Sequence, residues 1–227
     1  MMEYGHGGDI YRNRNVELDF SVNVNPLGMP NFVWEAAQRS ITFCTGYPDS
    51  SCENLRGRLS EVTGVPEDQM IFGNGAAELI FRLAQEGRPE KAVIPAPSFA
   101  EYETALRSCG TETAFFYLKE AESFFLNISE FLDFLRAEQP EIIFLCTPAN
   151  PTGAMIRQAD LSKILDYCKK HGILLVLDEC FVEFLDEERS CGCIREFLEW
   201  ETGRPEHGGD LFLLRAFTKT YAMAGLR

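Results

Sequence analysis

The sequence has little positive charge. Lys and Arg together number 21 against 35 Asp and Glu, so the net charge is −14 at pH 7. Nucleic acids and anionic membranes both attract basic surfaces. We therefore expect neither as a partner, and any anionic ligand must find its cationic contacts locally.

The sequence also lacks a set of residues suited to a metal or to a disulfide framework. Eight cysteines in 227 residues are too sparse for a disulfide scaffold, and several lie inside apolar runs, where thiols are usually buried. Cys191 and Cys193 flank one glycine and Cys168 precedes His171, but neither pair belongs to a four-ligand zinc pattern. We expect reduced cysteines and no metal site.

Long apolar runs are absent as well. No stretch approaches the roughly 20 apolar residues that cross a bilayer, and residues 1–15 are polar and Gly-rich, without the apolar segment of a secretory signal. These absences predict a cytoplasmic protein. With 45% hydrophobic and 25% charged residues, the composition is that of an ordinary globular chain.

From residue 91 onward, short apolar runs alternate with amphipathic stretches. The runs predict strands and the stretches predict helices, and their alternation predicts an α/β fold with a mainly parallel sheet covered on both faces. The predicted strands are 92–95, 113–118, 142–146, 173–177 and 211–214, and the predicted helices are 99–109, 129–138, 158–171 and 194–201. Earlier in the chain, 18–24 is predicted to be extended, 25–28 a turn, and 32–40 and 53–63 helices.

Chemically distinctive residues follow four of the predicted strands. Phe99 follows the first strand with Pro97 and Ser98; Asn150 lies in TPANPTG, Asp178 ends ILLVLD, and Lys219 follows LFLLRA. Ligands of open parallel sheets bind beyond the carboxyl ends of the strands. The sequence therefore predicts a site that combines an aromatic ring, an amide, a carboxylate and an amine.

A further candidate is the segment GNGAAELIF, where small residues precede an amphipathic helix. Small side chains allow backbone N–H groups to approach an anion at a helix N-terminus. The segment lacks both the Lys-Ser/Thr ending of a P-loop and the GxGxxG spacing of a dinucleotide fold. The segment therefore predicts a phosphate-binding helix N-terminus that is neither a P-loop nor a dinucleotide-binding loop.

Each of these residues also has an ordinary interpretation. Asp178 could cap a helix, Asn-Pro-Thr-Gly is a good turn by composition, Lys219 could be a surface lysine, and the Gly-rich segment could be a simple turn. His6 could be a solvated terminal residue. A ligand-binding site is favoured because all of these residues occur together, each in the expected place along the chain.

Taken together, these residues resemble the fold-type-I pyridoxal 5'-phosphate (PLP) enzymes of the class I/II aminotransferase family. The resemblance implies that Lys219 binds the cofactor covalently, that Asp178 pairs with the pyridine nitrogen, that Asn150 contacts the phenolic oxygen and that Phe99 stacks on the ring. It implies that the phosphate is held by Gly75, Ala76, Ala77, Thr218 and Arg227. Tyr47, in GYPDSSCENLR, would reach the cofactor phosphate of a neighbouring subunit, which implies a homodimer with shared sites.

Within that family two groups of enzymes compete. HGGDIYRN, DFSVNVNPLGMP, PSFAEYE, LCTPANPTG, LDECFVEF and FTKTYAMAGLR look most similar to threonine-phosphate decarboxylases of cobalamin biosynthesis, and next to histidinol-phosphate aminotransferases. Aminotransferases usually carry a tyrosine three residues after the aspartate, where this sequence has Phe181. The resemblance further implies a small phosphorylated amino-acid substrate contacted by His6, Gly7, Asn23 and Asn150.

The resemblance also implies a domain organisation. Residues 1–45 would form an N-terminal arm and part of a small domain or substrate lid, and 46–227 a PLP-binding large domain with a sheet of the seven-stranded type. The chain ends at its most reactive segment, so we expect a piece of a longer enzyme without the small C-terminal domain. An inactive PLP-binding fragment is an alternative, whereas a cofactor-sensing domain fused to a DNA-binding domain needs a basic helix-turn-helix segment that this acidic chain lacks.

Overall fold

A computed structural model describes residues 7–9, 11–185 and 210–226. The chain divides into two compact units, one formed by Met1–Pro48 with Phe217–Arg227 and the other by Asp49–Ala216. We call them the N-terminal unit and the sheet unit. The assignment of 1–45 and 46–227 to an arm and a cofactor-binding domain stays a prediction.

The sheet unit contains a parallel sheet, as the alternating pattern predicts. Five strands lie in the described residues, in the order β2-β1-β3-β4-β5, where the resemblance implied a seven-stranded sheet. All four neighbouring pairs are parallel. The strands are β1 (Lys91–Ala96), β2 (Glu112–Tyr117), β3 (Ile142–Cys146), β4 (Leu174–Asp178) and β5 (Leu211–Leu214).

Helices precede, connect and cover these strands. Those of the sheet unit are α2 (Glu53–Thr63), α3 (Ala76–Gly87), α4 (Ala100–Ser108), α5 (Ile128–Glu138) and α6 (Gln158–His171). Short 3-10 turns occur at Glu67–Gln69, Glu120–Glu122 and Val182–Phe184. The predicted helix 194–201 lies outside the described residues.

Side chains of the sheet alternate between two buried layers. Ile143 and Leu145 of β3 pack with α5 and α6, whereas Ile142 and Phe144 pack with α3 and α4. In β4, Val176 belongs to the α3/α4 layer. This period of two is the geometry of a strand buried on both faces, and it decides which helix each strand-end residue meets.

The strand order creates a switch point. β1 pairs with β2 on one side and with β3 on the other. The chain therefore adds β2 on one side of β1, and then adds β3, β4 and β5 on the opposite side. A crevice forms beyond the carboxyl ends of the strands at such a point. Residues that follow β1 and β3 are therefore placed for ligand binding.

The N-terminal unit contains α1 (Asn31–Ser40), a 3-10 turn at Ile41–Phe43 and the short helix α7 (Phe217–Thr220). Residues 18–24 form no regular strand, although they are predicted to be extended. α7 ends at Thr220, and Ala222, two residues later, takes a left-handed φ of 47° that is incompatible with a continuing helix. Among the described residues, no helix combines the length and apolarity needed to span a membrane.

Candidate functional site

Asp178 is the buried acidic residue at the carboxyl end of β4. It lies two residues after Val176 and therefore faces the same layer, where α4 packs. The residue is 5% exposed. Its Oδ1 accepts a hydrogen bond from the backbone N–H of Cys180 at 2.9 Å, so one carboxylate oxygen is anchored locally.

Tyr102 of α4 holds the other oxygen of this carboxylate. Its hydroxyl donates to Asp178 Oδ2 at 2.5 Å, and its ring stacks on Phe144 with centroids 4.9 Å apart. Burial, and to a smaller extent the charge of Asp178, raises the pKa of Tyr102 well above its usual value. The phenol therefore keeps its proton and acts as a donor. Sequence reasoning missed Tyr102. The signal that could have found it is the three-residue spacing from Phe99 on one helix.

In the described part of the sheet unit, the Asp178 carboxylate has two hydrogen-bond donors and no cationic partner, since it forms no ion pair there with Lys, Arg or His. The neighbouring Glu179 is also buried, but it pairs with Arg215 at 2.9 Å. A buried carboxylate is costly to leave without a cation, so the site of Asp178 suits a ligand with a positively charged, hydrogen-bonding nitrogen.

Phe99 immediately precedes α4, the helix that carries Tyr102. It is the N-cap residue of the helix, with an extended backbone. Its ring meets the ring of Tyr102 edge to face, at a centroid distance of 5.6 Å. Tyr102 therefore links Phe99 and Asp178, two of the predicted site residues, in one cluster.

Asn150 lies at a small cavity of about 40 Å³ beyond the carboxyl ends of β1 and β3. Pro97, Ser98, Tyr102 and Cys146 are among the other residues of its wall. Burial and then the charge of Asp178 raise the pKa of the Cys146 thiol to about 12, and its Sγ donates to the carbonyl of Pro148 at 3.2 Å. The thiol is thus a neutral packing group, and the polar side chains of this wall include those of Ser98, Tyr102 and Asn150.

The start of α3 provides backbone donors. Gly75 precedes the helix with φ 82°, and no side chain caps this end. The N–H groups of Ala76 and Ala77 fall in the first turn, where no intrahelical acceptor exists. Glu78 brings negative charge to the same turn, but Asn74 and Arg82 both hydrogen-bond its carboxylate. These amides can accommodate an anion such as a phosphate.

The remaining predicted residues belong to the N-terminal unit. Thr218 and Lys219 lie in α7. Asn23 is exposed, and the Tyr47 side chain is fully exposed. A Cβ on Gly7 would lie 1.8 Å from the carbonyl oxygen of Ser21, so only glycine fits there without rearrangement.

Two predicted site residues, His6 and Arg227, lie outside the described residues. The structure brings together Asp178 and Phe99 through Tyr102, and places Asn150 on a cavity that Tyr102 also lines. No cluster of three His, Cys, Asp or Glu residues suited to a metal occurs in the ranges that the structure describes.

The family follows from comparison of the sequence with known proteins. Residues 15–227 match the family model described as Aminotransferase class I and II. The chain belongs to this family. The family is dependent on pyridoxal phosphate, and the uncompensated carboxylate, the adjacent aromatic ring and the backbone donors suit that group.

Individual members of the family resemble the chain along most of its length. The threonine-phosphate decarboxylase of Salmonella typhimurium is 36% identical over 231 residues, covering 98% of this chain and 60% of the enzyme. The histidinol-phosphate aminotransferase of Methanosarcina barkeri is 30% identical over 209 residues, covering 90% of this chain and 52% of the enzyme.

A solved structure shows the same fold. The histidinol-phosphate aminotransferase of Sinorhizobium meliloti in complex with pyridoxal-5'-phosphate superposes with a TM-score of 0.77 at 18% identity, covering 91% of this chain and 53% of that one. The chain thus spans between about half and three fifths of the length of these relatives.

Proposed function

We propose that this protein binds PLP and decarboxylates L-threonine O-3-phosphate to aminopropanol phosphate, in cobalamin biosynthesis. The observation that carries cofactor binding is the buried carboxylate of Asp178, which has two hydrogen-bond donors and no cation in the described part of the sheet unit. The choice of reaction is supported by the 36% identity to a threonine-phosphate decarboxylase.

The pyridine nitrogen of PLP is the cation that this carboxylate would bind. A negative charge beside the nitrogen favours its protonated form. When bound, the cofactor supplies an electron sink for the bond broken at the substrate Cα. Asp178 keeps the nitrogen protonated, and Tyr102 and the N–H of Cys180 keep Asp178 oriented.

Other residues hold the rest of the cofactor in this proposal. Phe99 covers the ring and Asn150 donates to the phenolic oxygen. The proposed phosphate ligands are Gly75, Ala76, Ala77, Thr218 and Arg227.

Lys219 is the proposed catalytic residue. Its amine would hold the cofactor covalently, and its Nζ would accept or deliver a proton at the substrate Cα. A lysine in this role must be neutral when it acts as a base.

The proposed substrate contacts complete the set of site residues. His6, Gly7 and Asn23, together with Asn150, are the proposed substrate contacts, with His6 and Asn23 near the substrate phosphate. Decarboxylation and transamination differ in which Cα bond the protein orients for cleavage. We propose that the phosphate contacts set this orientation in favour of the carboxylate bond.

A second candidate function is histidinol-phosphate aminotransferase, which the 30% identity to such an enzyme supports. Phe181 favours the decarboxylase instead. It stands three residues after Asp178, where aminotransferases usually have a tyrosine, and its ring packs against the α3/α4 layer. A phenylalanine cannot donate a hydrogen bond to the phenolic oxygen of the cofactor.

A second copy of this chain is the proposed partner. The N-terminal unit exposes large apolar side chains that water solvates poorly, among them Leu18, Leu27, Phe43 and Phe20, the last of which is 87% exposed. We propose that a second copy covers these side chains. Tyr47 is fully exposed and is therefore free to reach the cofactor phosphate of the partner.

Product analysis of the complete protein tests this proposal. Incubation with PLP and L-threonine O-3-phosphate should release carbon dioxide and aminopropanol phosphate, and the Lys219→Ala variant should release neither. Formation of glutamate from histidinol phosphate and 2-oxoglutarate, without carbon dioxide release from threonine phosphate, would show that the second candidate is correct.

A further inference from the structure

Asn25 contacts the backbone of the segment that carries Lys219. The backbone N–H of Asn25 donates to the carbonyl oxygen of Lys219 at 3.0 Å. Its side-chain Nδ2 donates to the carbonyl oxygen of Thr220 at 2.9 Å, across a sequence separation of 195 residues. Both partners belong to the N-terminal unit. One asparagine thus binds two successive carbonyls, the first of them that of the reactive lysine.

The conformation of Asn25 is itself fixed by the turn that follows it. Its Oδ1 accepts the N–H of Leu27 at 3.0 Å, and its carbonyl oxygen accepts the N–H of Gly28 at 3.1 Å. Pro26 restricts the backbone of the turn, and Gly28 takes the left-handed φ of 78° that closes it. The two donors that face Lys219 and Thr220 therefore project from a rigid turn.

The helical turn that carries Lys219 needs such donors. α7 is four residues long, and the last carbonyls of a helix have no intrahelical partner. Ala222 donates to the Lys219 carbonyl at 3.3 Å, and its left-handed φ of 47° prevents the helix from continuing. Asn25 thus supplies, from a distant part of the chain, a second donor to the Lys219 carbonyl and a donor to the Thr220 carbonyl.

An aromatic contact adds a second link between the same segments. The rings of Phe32 in α1 and Tyr221 after α7 meet edge to face, with centroids 6.3 Å apart. The backbone on both sides of Thr220 is therefore held by the region between the NPLG turn and α1. This contact limits how far the lysine backbone can move if the turn is altered.

We propose that Asn25 is a positioning residue for Lys219: its two hydrogen bonds fix the lysine backbone so that Nζ reaches the aldehyde carbon of PLP. The inference rests on the proposed function, because it concerns covalent attachment of that cofactor. Asn25 itself touches neither cofactor nor substrate in this account. It acts through the carbonyls of Lys219 and Thr220.

Hydrogen exchange on the unmodified protein tests the contact without any variant or cofactor. The Asn25 amide should exchange at least about 100-fold more slowly than an unprotected amide, since it is bonded to the Lys219 carbonyl. Exchange at the unprotected rate would overturn the proposal.

Two variants then separate positioning from general disruption. Asn25→Ala removes the side-chain donor, and Asn25→Asp replaces it with an acceptor that repels the Thr220 carbonyl. Asn13→Ala is the control, because the Asn13 side chain donates to the carbonyl of Asp9, four residues earlier, and so makes a local contact. Covalent attachment is measured by borohydride reduction and mass spectrometry of the Lys219 peptide over a range of PLP concentrations.

Pyridoxamine phosphate distinguishes a loss of covalent attachment from a loss of the binding site. It resembles PLP but has no aldehyde that could link to a lysine. We expect Asn25→Ala to raise the PLP concentration for half-maximal attachment by about tenfold, with Asn25→Asp at least as affected. Affinity for pyridoxamine phosphate should stay within about twofold, and Asn13→Ala should change neither quantity.

The possible outcomes are distinct. Equal attachment in wild type and both Asn25 variants, or parallel losses with PLP and pyridoxamine phosphate, would overturn the proposal. A wild-type protein that binds neither compound would instead refute the proposed function. If both variants fail to fold, the exchange rate of the Asn25 amide in wild type decides alone.

Discussion

Tyr102 and Asp178 are joined by a 2.5 Å hydrogen bond, although 76 residues separate them in sequence. The phenol lies in α4 and the carboxylate ends β4. Because burial and the charge of Asp178 raise the pKa of Tyr102, the phenol remains protonated and the carboxylate can remain the acceptor. This contact connects the fold of the sheet unit to the proposed chemistry.

Removal of the hydroxyl in Tyr102→Phe tests that contact. The substitution leaves a buried carboxylate without one of its donors, which costs about 1.5 to 3 kcal/mol when the lost bond is to a charged group. We expect that loss in the free energy of unfolding at pH 7, together with weaker PLP binding. Chemical denaturation and cofactor titration measure the two effects.

Tyr117→Phe is the matched control for this variant. Tyr117 is 74% exposed, so loss of its hydroxyl should change stability by less than about 0.5 kcal/mol. If Tyr102→Phe proved as stable as Tyr117→Phe, the hydrogen bond would not support the carboxylate as described.

The carboxylate itself can be tested by comparing two buried aspartates. Asp178 lacks a cation in the described part of its unit, whereas Asp160 pairs with Arg157 and Lys163. Neutralising an uncompensated buried charge removes a desolvation cost. Asp178→Asn should therefore leave the stability of the cofactor-free protein unchanged or higher, while PLP affinity falls by at least about tenfold.

Asp160→Asn should behave in the opposite way. It removes a paired carboxylate and should lower the free energy of unfolding by about 1 kcal/mol, without altering PLP affinity. An Asp178→Asn protein that binds PLP as tightly as wild type would rule out the proposed role of Asp178.

Alkaline pH should destabilise the protein through Cys146. Burial and the charge of Asp178 raise the pKa of this thiol from the reference 9.0 to about 12 in the folded state. A raised pKa contributes stability that is complete below pH 9.0 and is lost as pH rises through the window up to about 12.

The size of this effect follows from the width of that window. At about pH 10.5, ionisation of this thiol in the unfolded chain should lower the free energy of unfolding by on the order of 2 kcal/mol. Cys146→Ala should remove this part of the pH dependence of unfolding, and Cys44→Ala, at an exposed cysteine, should not. Identical alkaline profiles for wild type and Cys146→Ala would show that the thiol titrates normally.

Tyr47 provides a test of the shared site. Its side chain is fully exposed in the single chain, so Tyr47→Phe should not change the stability of the monomer. If the hydroxyl binds the cofactor phosphate of a partner, PLP affinity should fall by about tenfold. Tyr11, also largely exposed, supplies the control variant Tyr11→Phe, and equal affinities for the two variants would count against the shared site.

Local patterns in the sequence were sufficient to predict much of the sheet unit. The run at 142–146 is apolar, β-branched in part and bounded by polar residues, and it coincides with β3. The same holds for 211–214 and β5, and α6 has the predicted bounds. These elements are decided by periodicity over a few residues, which sequence reasoning captures well.

Contacts between distant segments could not be predicted in the same way. Whether Tyr102 reaches Asp178 depends on the strand order, which places β4 beside β3, and on the face that each side chain occupies. Asn25 was predicted only as part of a turn, because nothing local indicates that its two donors bind carbonyls at 219 and 220. The end of α7 at Thr220 likewise depends on the backbone of Ala222 rather than on composition.

The central claim is that PLP binds covalently at Lys219, and it can be measured directly. The protein is incubated with PLP, reduced with borohydride and digested, and each lysine-containing peptide is weighed by mass spectrometry. The account predicts a reduced pyridoxyl phosphate adduct at Lys219 with one equivalent per chain, and no adduct in the Lys219→Ala variant. An adduct spread over several surface lysines, or an equal adduct in Lys219→Ala, would contradict it.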